Sequence, residues 1–97
     1  MKRTYEHARV LRAVDGDTFE VVLDLGFSII HTVHIRIKGI DAEEMHDKDE
    51  EKQKKAQEQK AIAQKLEGKD CVVVVYRQER YGRWESDLIV DGVLFTQ

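Results

Sequence analysis

A chain of 97 residues has room for one domain, because a chain of this size buries only about 60 to 70% of the surface it exposes when unfolded. A formal net charge of −3 with 36% charged residues excludes a protein that grips nucleic acid by bulk positive charge, a mode that needs a basic face to release phosphate counterions. The single cysteine, Cys71, excludes an intrachain disulfide and reads as a small buried residue in a reducing compartment. No apolar stretch follows the charged amino terminus, so neither signal peptide nor membrane span is expected and the expected location is the cytoplasm.

In chain order, Val10, Leu11, Ala13 and Val14 predict a first strand, and the Asp-Gly pair of Asp15-Gly16-Asp17-Thr18 predicts a tight turn after it. Phe19, Val21, Leu23 and Leu25 alternate with Glu20, Val22 and Asp24, the period of a half-buried second strand. The alternation resumes from Phe27 to Lys38, with Val33, Ile35 and Ile37 on one face and His34, Arg36 and Lys38 on the other. That third strand presents Arg36 opposite the core.

From Asp47 to Leu66 the texture changes to Glu, Lys, Gln and Ala without proline, the composition of a helix. Asp47 and Glu50 have capping-box spacing, and Gly68 follows as a C-terminal stop. The apolar stripe is narrow: Ala56, Ile62, Ala63 and Leu66. Cys71 to Tyr76 is a continuous apolar run, as in a strand buried on both sides. A turn at Tyr81-Gly82-Arg83 leads to a fifth strand from Trp84 to Val90, closed by Asp91-Gly92. The order β-β-β-α-β-β, mainly β with one helix, is that of a five-stranded OB-fold barrel, a fold that often binds oligonucleotides.

Three clusters bear on chemistry. Alone, Asp15 to Thr18 reads as a hairpin turn, Asp41-Ala42-Glu43-Glu44 as a solvated loop entering an acidic helix start, and Tyr81-Gly82-Arg83 as a turn. Together, Asp17 and Asp41 can converge on a hard cation, since calcium takes oxygen ligands from carboxylates and main-chain carbonyls. Arg36 and Arg83 then place two planar guanidinium forks where a phosphate and its more highly charged transition state would sit. Glu44 remains to orient or deprotonate a water.

With these residues on the page, the chain resembles the staphylococcal nuclease family over nearly its whole length. The matching elements are V-D-G-D-T at Val14 to Thr18, R-x-x-x-x-D-x-x-E from Arg36 through Asp41 to Glu44, the alanine-containing helix followed by Gly68-Lys69, R-Y-G-R at Arg80 to Arg83, and Asp91-Gly92. The resemblance implies a calcium-dependent nuclease acting on DNA or RNA, with Arg36, Glu44 and Arg83 catalytic. It also implies calcium ligands from Asp17, Asp41 and the main-chain carbonyl of Ala42, with Arg80 and Tyr81 against the terminal phosphate of a bound nucleotide.

Two departures from the family pattern are visible. Glu43 stands where the family usually has proline, so the loop carrying Glu44 loses a fixed φ. The sequence also stops at Gln97, where family members continue into helices, and Val93-Leu94-Phe95 is expected to seek cover, with a homodimer through this segment as one outcome. Two rival readings use the same barrel: an oligonucleotide-binding module without catalysis, and a protein-interaction domain.

Overall fold

The computed structural model describes residues 2–39 and 50–96. Its elements are β1 (Arg3–Ala13), β2 (Thr18–Asp24), β3 (Ile30–Ile37), α1 (Glu50–Gln64), β4 (Asp70–Gln78), a 3-10 turn at Arg80–Gly82, β5 (Trp84–Val90) and β6 (Val93–Leu94). Antiparallel pairings join β3 to β2, β2 to β1, β1 to β4 and β4 to β5, and a parallel pairing of β3 with β5 closes the sheet. The result is a five-stranded mixed barrel with the expected β-β-β-α-β-β order, an OB-fold barrel, to which β6 adds a short strand beside β5.

Alternation decides what lies inside. Val10, Phe19, Val21, Ile35, Val73 and Leu88 have no exposed surface, and burying side chains of this size contributes about 1.5–3 kcal/mol each. In β3, Ile35 and Ile37 are buried and Val33 is half-buried, while Arg36 lies between them on the other face. In β4, consecutive Val73 and Val74 are both buried, as a two-sided strand requires.

Several boundaries differ from the sequence reading, each for a physical reason. β1 begins at Arg3 rather than Val10, because its polar first half is held by main-chain pairing of Arg3, Thr4 and Tyr5 with Val75, Val74 and Val73. Local composition carries no sign of a long-range ladder. β3 begins at Ile30 rather than Phe27: Ile29 N–H donates to the Gly26 carbonyl at 2.9 Å, and Phe27 and Ser28 both have positive φ, so this stretch is the β2–β3 turn.

Within α1 the buried stripe is narrower still than expected. Ala56 and Ala63 are buried and Leu66 packs against the core just beyond the helix, whereas Ile62 is 49% exposed. Positions 56 and 63 lie two turns apart on one line, and position 62 is rotated by about 100° from it. Gly68, at φ 82°, ends the helical segment and donates its N–H to the Val10 carbonyl at 2.7 Å. Glu67 reaches the Ala13 N–H at 2.9 Å. Asp47 lies outside the described residues, so the expected capping box does too.

Of the three apolar residues after Gly92, Phe95 packs edge-on against Phe19 within the same chain, ring centroids 5.3 Å apart, while Val93 and Leu94 are exposed. No helix among the described residues is long and apolar enough to cross a membrane.

Candidate active site

The β1–β2 turn is tied to the end of β3 by the backbone. Val14 and Asp15 N–H both donate to the Thr18 carbonyl, at 2.8 and 3.2 Å, and Ile37 N–H donates to the Asp17 carbonyl at 2.8 Å. Thr18 and Arg36 are register partners across β2 and β3. Asp17 and Arg36 are therefore brought together by ladder geometry before any side chain is considered. Asp17 is buried, 8% exposed. Its Oδ1 accepts from the Thr18 hydroxyl at 3.0 Å, and its Oδ2 accepts from Arg36 Nε at 3.4 Å.

The second half of the cluster comes from the β4–β5 loop. Glu79 N–H donates to the Arg83 carbonyl at 2.7 Å and closes the loop, with Tyr81 at φ 66° and Gly82 at φ 81° making the bend. Arg83 immediately precedes β5, which pairs with β3, and its side chain shares a partner with Arg36. One carboxylate serves both: Glu79 Oε1 accepts from an Arg36 terminal nitrogen at 3.4 Å, and Glu79 Oε2 lies 3.7 Å from an Arg83 terminal nitrogen. The other terminal nitrogen of Arg83 donates to Thr18 Oγ1 at 3.3 Å.

Arg83 Nε is buried and has no hydrogen-bond partner among the described residues. A buried donor left unsatisfied costs about 1–3 kcal/mol, and native structures carry such costs chiefly where a function needs the group. Between described residues, the contacts to the two guanidinium groups run from 3.3 to 3.7 Å, longer than the roughly 2.7–2.9 Å of a tight charge-assisted bond. Burial opposes the charge on Arg36, but Glu79 and Asp17 outweigh it and hold the guanidinium above its ordinary value.

Of the residues named from sequence, Asp17, Arg36 and Arg83 converge here. Arg80 and Tyr81 lie on the adjoining loop, exposed, Tyr81 at 94%. Asp41, Ala42 and Glu44 lie outside the described residues. Among the described residues no group of three or more His, Cys, Asp or Glu side chains could hold a metal. Asp17 fits a calcium site as one hard oxygen ligand: each carboxylate oxygen takes one hydrogen bond from the described residues and an ionised carboxylate has about four acceptor positions. One carboxylate does not complete such a site, so the remaining ligands would have to come from Asp41 and the Ala42 carbonyl.

The sequence reading passed over Glu79 and the side chain of Thr18. Glu79 stands in the run Arg77-Gln78-Glu79-Arg80, where it looks like one more solvated charge. A usable signal was its position four residues before Arg83, across a turn containing glycine.

The main apolar groove of the barrel lies apart from this cluster, lined by Tyr5, Leu23, Val33, Val75, Tyr76 and Trp84 among others. The comparisons add no name to the geometry: no protein-family model matches the chain, and no curated protein matches it.

Proposed function

We propose that this chain is a nuclease of the staphylococcal-nuclease type that hydrolyses phosphodiester bonds of DNA or RNA in a calcium-dependent manner. The observation that carries the reading is the convergence of Arg36 and Arg83 beside Asp17, with Glu79 reaching both guanidinium groups and Arg83 Nε left without an acceptor among the described residues. A protein that used these arginines only for surface solubility would have no reason to bury them against shared carboxylates.

In this reading the phosphodiester settles between the two forks, and a water attacks phosphorus in line with the leaving oxygen. Negative charge builds on the phosphoryl oxygens as the new bond forms, and oriented N–H donors that are already in place stabilise it without reorganising. Each arginine contributes on the order of 3 kcal/mol to that stabilisation, about a hundredfold in rate. Arg36 stays protonated throughout, since its neighbours favour the charge. Glu44 takes the role of general base for the attacking water, by resemblance, and the products would carry 3′-phosphate ends. Asp17, Asp41 and the Ala42 carbonyl would hold calcium, which supplies positive charge next to the phosphate. Arg80 and Tyr81 would line the path of the terminal phosphate.

The test is a plasmid and a single-stranded RNA incubated with the purified chain in calcium, in magnesium, and with excess chelator. Cleavage is expected in calcium, less in magnesium because that ion prefers tighter octahedral geometry and keeps its waters, and none with chelator. Cutting that persists unchanged in chelator removes the metal-dependent mechanism; binding without cutting under every condition favours an oligonucleotide-binding module instead.

A further inference from the structure

We infer that Glu79 is a positioning residue with two separable effects: it holds the guanidinium groups of Arg36 and Arg83 in one orientation, and it offsets their charge so that phosphate is not bound too tightly. The inference rests on the phosphodiesterase reading for its kinetic part only. Glu79 has a side chain only 13% exposed, and its two oxygens divide between the two arginines at 3.4 and 3.7 Å. Its own main-chain N–H closes the loop onto the Arg83 carbonyl at 2.7 Å, so the carboxylate is fixed relative to Arg83 by backbone as well as side chain.

Charge bookkeeping gives the second effect. In the described cluster Glu79 lies beside both guanidinium cations, Arg36 and Arg83, and Asp17 beside Arg36. Were Glu79 neutral, the same donors would face an incoming phosphate with one negative charge fewer beside them in a half-buried site, where Coulomb attraction is stronger than in water. An inorganic phosphate or phosphorylated product would then bind more tightly in the ground state. Tighter ground-state binding does not by itself speed the chemical step, and the cost in turnover comes from the lost orientation of the two forks. A carboxylate across two arginines is also geometrically similar to a phosphate: a planar acceptor pair accepting from two forks. Glu79 thus ties the two forks to one carboxylate.

The inference is tested with Glu79→Gln, which keeps shape and an acceptor but removes charge, and Glu79→Asp, which keeps charge but draws it back by one methylene. Inorganic phosphate binding is measured by calorimetry in chelator, and cleavage of an oligonucleotide is measured in calcium, with melting temperatures recorded for all three proteins. For Glu79→Gln, phosphate affinity is expected to rise several-fold while kcat falls about tenfold or more, with KM falling as well. For Glu79→Asp, phosphate affinity is expected to return to the wild-type value with kcat only partly restored. A merely structural role lowers the melting temperature and moves kcat without tightening phosphate binding. Glu79→Gln with wild-type phosphate affinity overturns the charge-offset role, and wild-type kcat in both variants overturns the positioning role. If the wild-type chain cuts nothing but Glu79→Gln still binds phosphate more tightly, the nuclease reading fails and the charge offset stands.

Discussion

Two turns of this molecule do the same thing to the backbone and differ in everything around it. The β2–β3 turn places Phe27 and Ser28 at φ 55° and 62°, and the β4–β5 loop places Tyr81 at φ 66°; each carries an aromatic side chain almost wholly in solvent, Phe27 at 97% and Tyr81 at 94%. The first turn is held by main-chain bonds between Leu25, Gly26 and Ile29 and by Asp24 accepting from Gly26 N–H at 2.9 Å. Three residues lie between the bonded Leu25 and Ile29, and all three, Gly26, Phe27 and Ser28, have positive φ, a region that glycine and asparagine enter more readily than phenylalanine or serine. The second loop is closed by the Glu79 N–H to the Arg83 carbonyl at 2.7 Å, and the side chains of those two residues also reach Arg36 and Thr18. Strain of similar size is incidental in one place and is tied to a cluster of charged donors in the other.

The sharpest way to break this comparison is at the arginines. Arg36→Lys and Arg83→Lys should each reduce cleavage about a hundredfold although charge is kept, because an ammonium cannot reproduce the planar fork. Phe27→Asn at the other turn should leave cleavage unchanged. Steady-state rates on one oligonucleotide, with folding matched by circular dichroism, check both. Lysine variants that cut at the wild-type rate would make the β4–β5 loop no more functional than the β2–β3 turn.

A substitution that touches neither loop calibrates what stability alone does. Burial pushes the Cys71 thiol up to about 11, with Asp70 adding to the effect, from an ordinary value near 9. Between those values the unfolded chain loses the thiol proton while the folded chain keeps it, so the native state binds more protons and stability falls as pH rises. The stabilisation of the folded thiol is fully present below pH 9 and is lost by pH 11, of order 2 kcal/mol for that group. Cys71→Ala should flatten this part of a stability–pH curve measured by denaturant unfolding, although it leaves a small cavity at all pH values. An unchanged slope between pH 9 and 11 would mean that the thiol is less shielded than its 5% exposure implies.

Smaller again is relief of strain at the β2–β3 turn. Phe27→Asn with Ser28→Gly installs the residues that tolerate positive φ and should stabilise the chain by about 1 kcal/mol, read as a higher melting temperature with unaltered kcat and KM. A change in KM would show that the exposed Phe27 ring touches substrate after all.

How far the molecule could be read from its residues follows the range of the forces involved. The barrel was legible because alternation in β2 and β3 and the unbroken apolar run of β4 are local consequences of which face is buried; Phe19, Val21, Ile35 and Val73 lie inside as their spacing requires. The first half of β1 was not, since Arg3 to His7 become a strand only by pairing with β4, more than sixty residues away in sequence. The same holds within the site. Asp17, Arg36 and Arg83 stand out as residue types in recognisable runs, but Glu79 acquires its meaning from the β3–β5 pairing that brings Arg36 to it. Asp41, Ala42 and Glu44 were legible only through resemblance and lie outside the described residues.

The finest test applies one kind of substitution to the second loop. Tyr81 pays a backbone penalty at φ 66° for which asparagine is better suited, so Tyr81→Asn should raise stability by a few tenths of a kcal/mol, as relief of strain does at the β2–β3 turn. Function should separate the two turns. Tyr81 is nearly fully exposed and makes no buried packing that would explain a tyrosine there, and by resemblance its side chain meets the terminal phosphate of a bound nucleotide. A contact remote from the reacting phosphorus is equally good in ground and transition states, so its loss should raise KM and leave kcat alone. Melting temperature and the two kinetic constants, measured on a substrate with and without a terminal phosphate, give the answer: KM should rise only for the phosphorylated substrate. A gain in stability with KM unchanged on both substrates would make Tyr81 a turn residue like Phe27, and the recognition assigned to the β4–β5 loop would then fall on Arg80 alone.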